Sequence, residues 1–164
     1  KGSATISSGG GSDAFNITGL VHKNLTVSSG SGLDTVNLNG ITTLGNLSIN
    51  TGAGNDTINA AGIFVGGTSS FITGADSDIL NMTGTSRYQQ KVTINLGGSG
   101  TDNDALNITP AIVGEEMLML KGLSVVSGGG VDVLMGGNGA GIVMVHDGAT
   151  LPGTFIFGNN FFTL

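Results

Sequence analysis

The residues best suited to chemistry in this sequence are two pairs of aspartates, Asp76 with Asp78 and Asp102 with Asp104. In each pair one polar residue separates the two carboxylates. Oxygen ligands without histidine or cysteine select a hard cation, and Ca²⁺ is the expected ion. If the two segments stack, the four carboxylates gather in one place. We therefore predict a Ca²⁺ site there.

Four more aspartates occupy the same place in other copies of a repeated motif: Asp13, Asp34, Asp56 and Asp132. Stacked carboxylates would repel one another, and the repulsion raises the pKa of each. Backbone N–H groups of nearby glycine-rich turns, hydroxyl side chains or a bound cation would each relieve it. For these single aspartates we expect hydrogen bonds to their own turn, so we treat them as weaker Ca²⁺ ligands.

The motif itself is repeated six times, at spacings of 21, 22, 22, 26 and 28 residues, which indicates a solenoid. A large apolar residue stands two positions after each motif aspartate, and an asparagine stands three after it in all copies but the last. Five positions before the aspartate is a hydroxyl residue, which is always followed by glycine. The six hydroxyl residues are Ser8, Ser29, Thr51, Thr73, Ser99 and Ser127.

Short apolar alternations on both sides of each glycine-rich turn predict β-strands, as in Leu47-Ser48-Ile49 and Asp34-Thr35-Val36-Asn37-Leu38. No segment combines a helical period with capping residues. A third, weaker apolar position follows the next turn, at Leu20, Ile41, Ile63 and Ala111. The residues two and four after the aspartate should point inward. The asparagine between them should point outward and stack on its neighbours as a ladder of amides.

Three short strands in each coil resemble the parallel β-helix, or β-solenoid, family of secreted and cell-surface repeat proteins. The resemblance implies an all-β fold, a single parallel β-helix of about six to seven coils with roughly 22 residues per coil. Two nine-residue units, Ser127–Met135 and Gly136–Met144, are similar to the calcium-binding nonapeptide G-G-x-G-x-D-x-U-x of RTX proteins. The second unit has Gly141 where the first has Asp132.

One β-solenoid domain is expected over residues 1–164. Regular coils should occupy 1–126 and the RTX-like pair 127–144. The tail, 145–164, holds four of the seven phenylalanines. We expect it to form an aromatic cap over the last coil, or a strand that pairs with the first coil of a neighbouring molecule.

Composition limits the partners and the reaction types. The net charge is -6 and Arg87 is the sole arginine, so a nucleic-acid partner is not expected. No cysteine is present, which removes thiol catalysis. No apolar run is long enough for a membrane span. Low charge with abundant glycine, serine, threonine and asparagine is typical of secreted or cell-surface proteins.

We therefore predict an extracellular structural or adhesive solenoid that is stabilised by Ca²⁺ and associates end to end into filaments or a surface layer. A glycan or another surface ligand is a further expected partner, and no catalytic residue is assigned. The alternative is a carbohydrate-binding or carbohydrate-active β-helix that uses the loops of coils four and five. The longer spacings there predict insertions around Arg87–Lys91 and around Glu115, Glu116 and Lys121. Polysaccharide lyases of this family use a basic residue near Ca²⁺, for which the candidates are Arg87, Lys91 and Lys121. His22 and His146 lie several coils apart and form no recognisable triad.

Overall fold

The computed structural model describes residues 1–97, 102–109 and 115–127, and beyond them only the strands over 133–136, 141–145, 149–150 and 161–163. Every regular element in these residues is a β-strand, and the strands form three parallel sheets. Sheet A consists of β1 (Ala4–Ser7), β4 (Leu25–Ser31), β7 (Leu47–Ala53), β10 (Ser69–Ala75), β13 (Val92–Gly97), β16 (Leu123–Ser127) and β19 (Ala149–Thr150). Sheet B consists of β2 (Ala14–Ile17), β5 (Thr35–Asn39), β8 (Thr57–Ala61), β11 (Ile79–Thr83), β14 (Ala105–Thr109) and β17 (Val133–Gly136). Sheet C consists of β3 (Leu20–Val21), β6 (Thr42–Thr43), β9 (Phe64–Val65), β12 (Arg87–Tyr88), β15 (Glu115–Met119), β18 (Gly141–Val145) and β20 (Phe161–Thr163).

The chain winds as a parallel β-solenoid, with one strand in each sheet per turn. Each strand pairs in register with the equivalent strand one turn later, as β5 does with β8 and β8 with β11. A turn takes about 22 residues, which confirms the predicted fold and repeat length. Up to residue 127 the described solenoid has about five turns, slightly fewer than the six to seven predicted, and the later strands extend the same sheets.

The core is a set of apolar columns inside the three sheets. Period-two alternation places every second side chain of a strand inward, so stacked turns bury the same positions again and again. The residues two and four after the aspartate point inward as predicted; in the third and fourth turns these are Ile58, Ala60, Leu80 and Met82, all buried.

The third apolar position behaves less regularly. Ile41 and Ile63 are buried as expected. Leu20 is 55% exposed, because the first turn is shorter and Leu20 pairs with Thr42 instead of Ile41. Ala111 lies outside the described residues.

The fourth turn carries the bulkiest core side chains. Tyr88 is fully buried and packs edge to face on Phe71, with 6.4 Å between the ring centroids. Ser69 stands in register with Leu47 of the preceding turn, so a small residue lies in the same turn as the two rings. Such alternation of volumes keeps the interior filled without strain.

The predicted loop around Arg87, Tyr88 and Lys91 is wrong. Arg87 pairs with Phe64 and Tyr88 with Val65, so these residues belong to a regular strand of sheet C. Most of the extra length of this turn falls instead after Gly97, in residues 98–101, which lie outside the described residues.

The placement of the fifth hydroxyl, Ser99, is also wrong. The stacking that repeats from Gly52 to Gly74 continues to Gly97, so Leu96 takes the position expected for Ser99. Ser99 itself lies outside the described residues. The insertion predicted near Glu115 lies between β14 and β15, mostly in the undescribed residues 110–114.

Sheets B and C continue through the RTX-like segment. β17 pairs with β14 in sheet B, and β18 pairs with β15 in sheet C. In the tail, β20 pairs in parallel with β18 and so extends sheet C. The glycine-rich parts of the RTX-like pair, with Asp132, lie outside the described residues, and so does most of the tail.

Candidate functional site

The motif aspartates stack at the corner between sheets A and B, where they form an aspartate column: Asp13, Asp34, Asp56, Asp78 and Asp104. From Asp34 onward each side chain reaches back one turn, where its Oδ1 accepts the backbone N–H of the preceding aspartate. The N–H of Asp56 donates to Asp78 Oδ1 over 2.7 Å, and the other three bonds are 2.8 Å long. We expected the aspartates to bond to their own turn, whereas Oδ1 bonds to the turn before.

The carboxylates of the middle turns are enclosed. Asp34, Asp56 and Asp78 are no more than 2% exposed. Their second oxygen atoms, Oδ2, are buried and accept no hydrogen bond. A buried ionised oxygen without a partner is unfavourable, and for Asp56 and Asp78 this burial favours the protonated carboxyl group.

A hydroxyl column runs beside the carboxylates: Ser8, Ser29, Thr51 and Thr73. Each hydroxyl donates to a backbone carbonyl of the next turn, as Thr73 does to Leu96 over 2.7 Å. In the first turn Ser8 Oγ also lies 2.6 Å from Asp13 Oδ2, so the two acceptors compete for a single proton. In the buried turns the hydroxyl proton is donated to the carbonyl, so Oδ2 is left without a donor.

The pKa values follow from this enclosure. Burial raises the pKa of Asp78 to about 7, and the neighbouring charges of Asp56 and Asp104 add to the rise. Burial also raises the pKa of Asp56, with smaller contributions from Asp34 and Asp76. The backbone N–H that Oδ1 accepts and the nearby threonine hydroxyl act in the opposite direction, toward a lower pKa. Asp56 and Asp78 are therefore protonated more readily than a solvent-exposed aspartate.

The first members of the aspartate pairs, Asp76 and Asp102, hold equivalent positions in consecutive turns. The N–H of Asn103 donates to Ser77 Oγ over 3.0 Å, which sets Asp102 above Asp76. Asp102 is buried, whereas Asp76 is exposed and has a left-handed φ of 76° at the place held by Gly54 one turn earlier. In the described part of the chain, no three acidic or histidine side chains are grouped closely enough to hold a metal ion. Ca²⁺ binding by Asp76, Asp78, Asp102 and Asp104 stays a prediction.

On the outer face of sheet B the asparagines form the predicted ladder, here called the amide column: Asn16, Asn37, Asn59, Asn81 and Asn107. Each Nδ2 donates to the Oδ1 of the preceding asparagine over 2.8 Å. The repeat alone predicted this column, because a single residue type at a single outward position stacks on itself.

Sequence reasoning missed a groove beside the amide column. Its volume is about 370 Å³, and its lining includes Asn16, Thr18, Asn37, Asn39, Asn59 and Ala61. Ala61 pairs in register with the larger Asn39 and Thr83, so the small side chain opens space in the third turn. The sequence signal would have been this alanine just before the turn glycine, where other copies carry asparagine or threonine.

A column of hydroxyl side chains on the outer face of sheet A was also missed. Its members pair in register from β1 to β16: Thr5, Thr26, Ser48, Ser70, Thr93 and Ser124. They alternate with the buried residues of each strand, so aligning the copies by their first strand would have found them. This face presents hydroxyls without any charged side chain in the described strands.

The basic candidates lie away from the aspartate column. Arg87 is exposed in sheet C, and Lys91 is exposed just before β13, whereas the aspartates lie on the corner between sheets A and B. Lys121 is exposed before β16, and His22 is exposed after β3. His146 lies outside the described residues. The described residues of this set therefore lie on other elements than the aspartate column.

The chain matches no protein family, no curated protein and no solved structure with which it was compared. Within the residues that the structure describes, no helix is long and apolar enough to cross a membrane.

Proposed function

We propose that this chain is a structural element of an extracellular or cell-surface protein, a stiff solenoid that acts as a scaffold or adhesive spacer. The observation that carries the proposal is how its polar side chains are used. The aspartate, hydroxyl and amide columns all form hydrogen bonds from one turn to the next. Residues committed to stacking stiffen a rod, whereas a catalytic site needs polar groups directed at a substrate.

The proposal includes end-to-end association into filaments. Parallel stacking continues as long as a further rung is supplied, because each rung offers backbone N–H and C=O groups along its edge. The outward faces of sheets A and B carry no charge in the described strands, so their side chains would not repel one another where the end turns of two molecules stack. Ca²⁺ at the paired aspartates is the proposed stabilising ion.

Electron microscopy and sedimentation velocity over a hundredfold range of protein concentration test this function. We expect particles that lengthen with concentration while their width stays constant. Particles that remain single at every concentration would remove the filament but leave the scaffold. Cleavage of a polysaccharide by the purified chain would contradict the structural function itself and favour an enzyme.

A further inference from the structure

The groove on sheet B has the dimensions and the lining of a binding site. Its volume of about 370 Å³ falls in the range of about 300–1,000 Å³ that is usual for ligand sites. Two outward positions of the same strands form its walls, two residues apart and therefore about 6.6 Å from each other. One wall is the amide column, and the other consists of Thr18, Asn39 and Ala61.

The amide column presents unused hydrogen-bonding capacity to this groove. A carboxamide has two N–H donors and an oxygen with two lone pairs. In the ladder, Asn37 uses one donor toward Asn16 and one lone pair toward Asn59. One N–H and one lone pair per turn remain, at a repeat of about 4.8 Å set by the strand spacing. The ladder bonds also fix the orientation of each amide, which lowers the entropic cost of binding.

The chemistry of the lining selects the ligand. Its lining also includes Ile17 and Leu38, and most of its exposed area is apolar, which suits the C–H faces of a sugar ring. Its polar groups are amides and the hydroxyl of Thr18, and no charged residue takes part. Neutral donors and acceptors suit the hydroxyl groups of an uncharged sugar, whereas a uronic acid polymer would call for arginine, lysine or a cation. The groove runs from turn to turn, so an extended chain can contact successive rungs.

We propose that this groove binds an uncharged polysaccharide chain that lies along the solenoid axis over the first three turns. The site is separate from the inserted loops of coils four and five and does not depend on the structural role proposed above. The Asn37 amide at its centre bonds to ligand hydroxyls, and Ala61 leaves the space for a sugar ring.

The test uses ¹H–¹⁵N spectra of the whole chain titrated with cello-oligosaccharide and with malto-oligosaccharide of six units. Binding should shift the side-chain amide signals of Asn37 and Asn59 saturably with at least one of them. A uronic acid oligomer of the same length is the charged comparison and should bind at least tenfold more weakly. Saturable shifts that leave the asparagine side chains of the groove unaffected would overturn the proposal, as would no shift with either neutral sugar.

Two variants and one control locate the site. Ala61→Phe fills the groove without removing a ladder bond, and Asn39→Ala removes an amide from the opposite wall. Each should weaken binding at least tenfold. Asn50→Ala removes an equally exposed asparagine from the outer face of sheet A and should leave the affinity unchanged. Equal affinity in Ala61→Phe, with its spectrum showing a folded chain, would contradict the assignment.

Discussion

The backbone N–H of Asp56 donates to Oδ1 of Asp78 over 2.7 Å, across one full turn of the solenoid. The side chain of one turn thus satisfies a buried backbone donor of the turn before it. The same contact recurs from Asp13 to Asp104, so the aspartates bind adjacent turns together at the corner where the chain leaves sheet A. Because each carboxylate bonds to the adjacent turn, the loss of one carboxylate affects two turns.

Two substitutions of Asp78 distinguish the contribution of its hydrogen-bond acceptor from that of its charge. Asp78→Ala leaves the buried N–H of Asp56 without an acceptor and should lower the free energy of unfolding by about 1–3 kcal/mol. Asp78→Asn keeps an oxygen at the position of Oδ1 and should cost less. Urea unfolding at pH 5 with EDTA gives both values. Equal losses in the two variants would mean that the hydrogen bond to Asp56 does not stabilise the corner.

The raised pKa of Asp78 predicts a solenoid that is more stable in acid than at neutral pH. Its pKa is about 7 in the folded chain and near 3.8 when unfolded, so between these values the folded state binds more protons. The corresponding stability is fully present below pH 3.8 and is lost as the pH rises through 7. Asp56, whose pKa is also raised, adds to the same trend.

Unfolding midpoints from pH 3.5 to 8, measured in EDTA, test this pH dependence. The wild-type midpoint should fall as the pH rises, and the fall should be smaller in Asp78→Asn, which cannot titrate at that position. A midpoint that rises over this range in both proteins would show that the column is ionised in the folded state.

The sequence predicts the solenoid well because stacking in register makes every turn repeat the same inward and outward positions. The amide column follows from five asparagines at one such position. The sequence does not determine in which direction an aspartate side chain bonds, because its own turn and the preceding turn both offer N–H groups within reach.

Register around an insertion is also ambiguous in sequence. The segment from Leu96 to Gly100 offers two glycines that could follow the fifth hydroxyl position, Gly97 and Gly100. Backbone stacking on Gly74 selects Gly97. The groove at Ala61 depends on the difference between one small side chain and its larger neighbours, which a repeat consensus averages out.

Ca²⁺ binding by the paired aspartates can be tested by replacing Asp76 and Asp102 with glycine, the residue that other turns carry at this position. In Asp76→Gly/Asp102→Gly the extra carboxylates are gone and Asp78 and Asp104 remain, as in the turns that carry glycine. An ion that binds only the folded chain stabilises it by about 2.7 kcal/mol at a hundred times its Kd. Millimolar Ca²⁺ should therefore raise the midpoint of the wild type and have no effect on the double variant. An unchanged wild-type midpoint would remove Ca²⁺ from the proposed function.

Gly52 tests whether the corner requires backbone-to-backbone contact. Its φ is 99°, and an added Cβ would lie 1.8 Å from the carbonyl oxygen of Gly30. Gly62 also has a positive φ, 58°, but a Cβ there would meet nothing within 4 Å. A left-handed φ alone costs a non-glycine residue about 1–3 kcal/mol. Gly62→Ala should lose that amount at most, whereas Gly52→Ala adds a collision and should lose more.

Thermal unfolding of the two alanine variants compares backbone strain with strain plus collision. Both variants replace a glycine of positive φ by the same residue, and the difference between their midpoints combines the collision with the greater backbone strain of a φ of 99°. A larger loss in Gly62→Ala, or equal losses, would mean that the corner can spread far enough to admit a Cβ at Gly52. The aspartate column beside it would then also be free to separate, and the stabilisation expected from the bond between Asp56 and Asp78 would be small.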